Sequence, residues 1–307
     1  MGLTGMEHLT VLDTPPGKLE YLLVGFGGWP DAAEGATTAL KYLTRRLGAK
    51  KLAELDPEEF YDFTRERPRS SRTRDGRRRV HWPANEFSYW VAPGQERAPG
   101  RGLMFFVGVE PHLKWRTFAR IIADLAAQHG VRTVVHVGAL LDAVPHTRPV
   151  RLTGSSTRPD LQRVLDSASV TSSNYQGPAG IGSAVMEACA AQGMGYASLW
   201  GHTAHYLQAA PNYRVSYTLA QHLVRLLDLP LDLAELQAAA ETFDQEVAKA
   251  IAKDEQLPAY VQKLEQRQDA AVETSEMPDP AEVVRDLEQF LRSEQRRGPN
   301  PSAEGPA

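Results

Sequence analysis

Apolar residues along the chain fall into two patterns. Compact runs at Leu19–Phe26, Leu103–Val109, Val131–Val137 and Gly195–Trp200 suit strands buried on both faces. Between them apolar positions recur every three or four residues, as in Trp115, Phe118, Ile121, Ile122 and Leu125, and in Val215, Leu219, Leu223 and Leu226. That is the period of a helix with one buried face. Helices are expected at about 32–47, 113–129, 179–192 and 212–228, with Gly48 and Gly130 as left-handed stops. Asp31 with Glu34 three residues on has the spacing of a capping box. Strands alternating with such helices predict an α/β fold built on a mostly parallel, doubly wound sheet.

Two stretches depart from that rhythm. Phe60–Phe63, Arg77–Trp82 and Phe87–Val91 read as short strands punctuated by Pro68, Gly76 and Pro83, an antiparallel hairpin insertion at about 58–92. After Pro230 the pattern becomes helical throughout. Asp232 and Glu235 open a helix to about Glu255, Pro258 breaks it, and a second helix runs to about Gln268. A linker follows at 271–278, then a third helix at Pro280–Arg296 with Asp279 as N-cap. The expected organisation is an N-terminal segment (1–17), an α/β core (18–230), a C-terminal helical region (231–297) and a disordered tail (298–307).

Composition narrows the class of protein. Of 307 residues, 42% are hydrophobic and 23% charged, enough apolar material for a large core. The net charge of −4 gives no global attraction to nucleic acid or acidic lipid. A single cysteine, Cys189 among alanines, excludes an internal disulfide and reads as a buried inert thiol. No apolar run approaches the ~18 residues of a membrane span, and no basic leader precedes an apolar stretch. A cytoplasmic protein is expected, with no membrane partner.

Charge is uneven, however. Residues 65–79 hold Arg65, Arg67, Arg69, Arg72, Arg74, Arg77, Arg78 and Arg79 against Glu66 and Asp75, a local charge of +6. This basic patch can meet phosphates or an acidic protein, or be a solvated hairpin tip. No aromatic residue is interleaved for base stacking, so nucleic acid is not the expected partner and RNA association ranks third among the functions.

Candidate chemistry gathers after the strands, where ligands of doubly wound sheets usually sit. Gly27, Gly28 and Asp31 follow the first strand, Glu110 and His112 another, and Asp142, His146 and Arg148 a third. His202, His205 and Tyr206 follow the last. Convergence of these residues would give a crevice able to bind a metal, or a general base with an arginine clamp for an anion. The alternative is that they order loops, with Arg148 paired to a carboxylate such as Glu110 or Asp142 and His146 to a backbone carbonyl. His202 and His205, three apart, match no zinc signature. The turn Gly25–Asp31 fits neither a dinucleotide nor a phosphate loop, because Pro30 replaces a glycine and no Gly-Lys-Ser/Thr follows. Gly177–Ser183 is a similar turn at a helix start, and no serine elbow is present. No cofactor or metal is expected, and catalysis is left open, leaning against.

The ordered set GFGGWPDAAEGA, VHWP, VEPHLKWRTF, GVRTVVHVGALLDAVPHTRPV, NYQGPAGIGSAV and SLWGHTAHYLQAAPN resembles the proteasome assembly chaperone 2 family, in particular its actinobacterial branch. The resemblance covers about 18–229. It implies an α/β fold of the phosphorylase/hydrolase-like kind, self-association as a trimer or larger, and a chaperone or scaffold role exerted on protein partners. Some relatives dock on the proteasome ring by a C-terminal hydrophobic-Tyr-any tripeptide. Glu304-Gly305-Pro306-Ala307 has no such tyrosine, so docking by the tail is not expected here. The alternative function is a small-molecule enzyme or sensor, ligase- or phosphorylase-like, using the strand-end crevice.

Overall fold

The compact apolar runs become the centre of a sheet. A computed structural model describes residues 8–94, 102–173, 175–207 and 210–274. Its strands are β1 (Leu9–Val11), β2 (Tyr21–Gly27), β3 (Lys50–Leu55), β4 (Arg69–Arg72), β5 (Arg78–His81), β6 (Glu86–Val91), β7 (Gly102–Val109), β8 (Thr133–Asp142), β9 (Leu152–Ser156), β10 (Thr171–Ser172) and β11 (Gly195–Ala204). Its helices are α1 (Gly35–Leu47), α2 (Trp115–Gln128), α3 (Pro159–Ser167), α4 (Ile181–Ala191), α5 (Tyr213–Leu226), α6 (Ala234–Ile251) and α7 (Leu257–Thr274).

Nine strands form one sheet in the order β1-β3-β6-β7-β2-β8-β11-β9-β10. The four central strands, β7, β2, β8 and β11, are parallel, and antiparallel pairings extend the sheet on both sides. Alternate residues of β2 face opposite ways. Leu22, Val24 and Phe26 pack with α2 and α4, while Leu23 packs with α1 and α5. Burying each such Leu or Phe contributes about 1.5–3 kcal/mol, so the buried centre fixes the register. β2 lies between β7 and β8 and is parallel to both, so the chain leaves β2 toward one side of the sheet and later continues on the other. Their carboxyl ends mark the switch point of a doubly wound sheet.

Several expectations need correction. Phe60–Phe63 is not a strand: Phe60 and Tyr61 fill the core from an irregular loop. Phe87–Val91 belongs to the main sheet as β6, so only β4 and β5 form a separate two-stranded ribbon. Asp31 and Glu34 do not form a capping box. Ala33 and Glu34 take left-handed φ values of 50° and 53°, so α1 starts at Gly35 and Glu34 does not reach back. The Asp31 carboxylate instead accepts from Ala36 N (2.6 Å), Thr37 N (3.1 Å) and the Thr37 hydroxyl. Glu235 likewise pairs with Arg45 and Arg46 of α1 instead of closing a box on Asp232.

Pro258 is the second residue of α7, where a proline is tolerated, and α7 runs through Thr274 into the expected linker. Residues 275–278 of that linker, the helix at Pro280–Arg296 and the tail at 298–307 lie outside the described residues. α6 and α7 share a small core of Val247, Ile251 and Val261, against which Tyr206 and Phe243 pack.

Candidate functional site

The strand-end residues do not meet in one crevice. The chain leaving β2 turns at Gly28, whose φ of +102° favours glycine. It then crosses to the end of β8, where Ala139 N donates to Pro30 O (3.0 Å) and Asp31 bridges Ala139. Trp29-Pro30-Asp31 therefore occupies the switch point and divides the candidates into two groups. That is the physical reason the expected single cluster fails to form.

The first group surrounds Glu110. Its backbone N donates to Gly27 O (2.9 Å), and its Oε1 accepts from Ile181 N (2.9 Å) at the start of α4. Burial raises the Glu110 carboxyl above its ordinary 4.5, with the Ile181 bond opposing. Gly28 and Gly180 lie against Glu110, and Gly180 also lies against the Trp29 ring. Gly180 thus admits the side chains that join β2, β7 and α4. His112 turns away into the 57–64 loop, where its Nδ1 accepts from Asp62 N (3.3 Å) and its ring meets Tyr61 edge-on.

The second group gathers at the ends of β8 and β11. β11 runs four residues further than its apolar run, so His202 lies within the strand and His205 just past it. His202 Nδ1 meets Asp142 Oδ2 at 2.6 Å, and His202 Nε2 meets Thr153 Oγ1 at 2.9 Å. Asp142 is desolvated, which alone would raise its carboxyl. Its bonds from His202 and Ala143 N and the Arg151 charge prevail and hold it below 3.8. The His205 ring and backbone N both reach Asp142 O at 3.1 Å. The His146 backbone N and Nδ1 meet the Tyr206 hydroxyl at 2.9 and 2.8 Å. His146 therefore pairs with a side chain where a backbone carbonyl was expected.

Helix α7 closes this group. Arg148 forks onto Asp269 (Nε–Oδ1 3.0 Å, Nη2–Oδ2 2.7 Å) and reaches Glu265 Oε1 at 3.3 Å. Its partners are thus on α7, not Glu110 or Asp142. Tyr260 of α7 meets His205 Nε2 at 3.3 Å and packs edge-on against Tyr206. Burial lowers the His146 and His205 imidazoles below 6.5, and it pushes the Tyr206 phenol up to about 12. What remains open is a cavity of about 30 Å³ lined by His146, Arg148, Arg151, His202, Arg214 and Asp244 among others. That is room for about two waters. Thr153, Arg151, Tyr260, Glu265 and Asp269 were missed in the sequence. Glu265 and Asp269, four apart on one helix face, were the one readable signal.

Among the described residues, no group of three or more His, Cys, Asp or Glu side chains is placed to hold a metal. No helix there is long and apolar enough to cross a membrane. The basic residues lie on the exposed β4–β5 ribbon and its approaches, whose root meets the 57–64 loop through Trp82 and Phe63.

The protein is thus an α/β protein with a doubly wound sheet whose switch point is crossed by its own chain, with α7 packed on the adjoining strand ends. Residues 25–251 match the PAC2 family model, and the chain belongs to that family. It is 32% identical to a proteasome-assembly chaperone homologue of Mycobacterium tuberculosis, covering 78% of this chain and 99% of that one with a TM-score of 0.69. A PAC2 family protein from Streptomyces avermitilis is also 32% identical, over 79% and 99%, with a TM-score of 0.69. PbaB of Pyrococcus furiosus, an archaeal proteasome activator, shares the fold at 20% identity over 79% and 97%, with a TM-score of 0.63. No protein of curated function matches the chain in sequence.

Proposed function

We propose that this PAC2 family member is a homo-oligomeric, cytoplasmic, non-catalytic chaperone or scaffold that works by binding protein partners, without a cofactor. The observation that carries this reading is the apolar rim at the strand ends. Trp29 is 66% exposed and Tyr175 67% exposed, and both lean on the 177–180 turn. Large exposed aromatics beside a polar surround are what protein interfaces use as anchors. The proteasome-linked relatives support protein partners as the class of ligand. Light scattering at micromolar concentration tests self-association. Trp29→Ser should shift an oligomer toward its protomer, and a wild-type mass of 33.9 kDa would overturn the homo-oligomer.

A second reading, a small-molecule enzyme, is favoured by one observation. Thr153, His202 and Asp142 form a hydroxyl–imidazole–carboxylate chain, the order of groups that activates a nucleophile. Thr153 is 8% exposed and lies outside the lining of the cavity, so its hydroxyl serves the strand pairing in the closed arrangement. Covalent labelling of Thr153 by an activated acyl or phosphonyl probe, lost in Thr153→Val, would promote the enzyme over the scaffold.

A further inference from the structure

Among the described residues the β4–β5 ribbon forms a sheet of its own, apart from the nine-stranded sheet. All eight of its strand residues are exposed, so it adds nothing to the core. A tight turn closes it: Gly76 N donates to Thr73 O and Thr73 N to Arg77 O, each at 2.9 Å, with Gly76 at φ +82°. At its root Trp82 packs edge-on against Phe63, ring centroids 4.8 Å apart. The ribbon is thus an ordered projection anchored at one end.

Its pairing places arginine on both faces. Arg69 opposes His81 and Ser71 opposes Arg79 on one face, and Ser71 Oγ meets His81 Nε2 at 2.7 Å across it. Arg72 opposes Arg78 and Ser70 opposes Val80 on the other. Arg72 against Arg78 sets like charges directly across two strands, which destabilises an isolated ribbon. Among the described residues the ribbon's one ion pair is Asp75–Arg77 at its turn, 3.2 Å. The fold therefore sets these guanidinium groups side by side in solvent, where a bound polyanion would offset their repulsion more strongly than salt screening does.

Which anion follows from the shape. A flat acidic protein surface meets one face of a ribbon and leaves the other cation row in solvent. A groove with a phosphate wall on each side meets both. The major groove of B-form DNA, about 12 Å wide and 8.5 Å deep, admits a two-stranded ribbon. Each four-residue strand spans about 13 Å, enough to fill that depth. The deep, narrow major groove of duplex RNA does not admit it. We infer that the β4–β5 ribbon is a binding site for double-stranded DNA, inserted in the major groove with Arg69 and Arg79 toward one phosphate wall and Arg72 and Arg78 toward the other. The absence of interleaved aromatics, which argues against single strands, is no obstacle to a duplex, whose bases stay stacked.

The test is fluorescence anisotropy of the full chain with a labelled random-sequence DNA duplex of about 20 base pairs, titrated at several salt concentrations. Four phosphate contacts give a slope of log affinity on log salt near −3.6, so affinity falls about 100-fold between 50 and 200 mM salt. Arg72→Ala/Arg78→Ala and Arg69→Ala/Arg79→Ala should each weaken the slope by about two and cost affinity on either face. Circular dichroism should stay unchanged, because these side chains touch no core. Loss in only one of the two double variants overturns the groove in favour of a flat partner. Tighter binding of poly-glutamate than of DNA, equal binding of an RNA duplex, or no binding of DNA at 50 mM salt also overturns it.

Discussion

Removing the Asp31 carboxylate tests whether the chain itself closes the switch point. Asp31 is 5% exposed and holds the start of α1 through Ala36 N, Thr37 N and the Thr37 hydroxyl. Losing a helix cap costs about 1 kcal/mol, and stranding buried donors adds about 1–3 kcal/mol. Asp31→Ala should therefore lose about 2–4 kcal/mol. For a chain of this size each kcal/mol moves the melting temperature by about 2–4 °C, so calorimetry should show a fall of about 5–15 °C. A pH series adds a sign. Burial, ahead of the bonds from Thr37 and Ala36, raises the Asp31 carboxyl above its ordinary 3.8. The folded state then takes up the proton before the unfolded state does. Ionised Asp31 carries a cost that is present above the folded value and relieved as pH falls toward 3.8. Asp31→Asn cannot titrate, so the wild type should gain on it as pH drops from 7 to 4. An unchanged melting temperature in Asp31→Ala, or a wild-type advantage that shrinks on acidification, would refute this account of the loop.

His136 is packed among the rings of Phe26, Tyr196 and Trp200, its Nε2 has no partner, and burial pushes its imidazole down to about 4. A lowered folded value means its stability contribution is present above 6.5 and lost as pH falls toward 4, by about 3 kcal/mol. His136→Phe should therefore melt higher than wild type at pH 5, and an acid-induced loss of the same size in that variant would contradict it. His146 and His205 are lowered by burial too, so the protection factors of α7 amides, which divide out the intrinsic slowing of exchange by acid, should drop as pH falls below 6.5; protection factors independent of pH from 7 to 5 would count against their part in seating the helix. Arg148→Ala should speed exchange in α7 while leaving β2 and β8 protected, and raised salt should mimic it, because the pair with Asp269 is partly exposed. Exchange rising equally in β2 would instead make α7 part of the core.

The central elements were readable because burial leaves a regular trace. β2, β7, α2, α4 and α5 sit within a few residues of their apolar patterns. The flanks left less. Lys50–Leu55 is exposed at three of its six positions, and Leu152–Ser156 holds a threonine, a glycine and two serines, so neither stands out from loop sequence. Phe60 and Tyr61 show the converse: they are core residues delivered by a loop, and apolar character alone does not set backbone shape. The start of α1 depended on left-handed φ at Ala33 and Glu34, non-glycine residues that give no local warning. At the site, Asp142, His202 and His205 were legible as a polar set after two strands. Their covering by Tyr260, Glu265 and Asp269 was not, because contacts spanning more than 50 residues along the chain leave no local pattern.

The two margins of the sheet constrain how copies of this protein can join. One outer strand, β1, is three residues long and is followed within a few residues by Pro15 and Pro16, which have no N–H to offer. The other, β10, is two residues long. Margins this short give a neighbouring chain almost no ladder to extend, which is how folded proteins avoid strand-by-strand growth into fibres. At these two margins of the described residues, contact with another chain would fall to side chains of helices and loops and not to an extension of the main sheet.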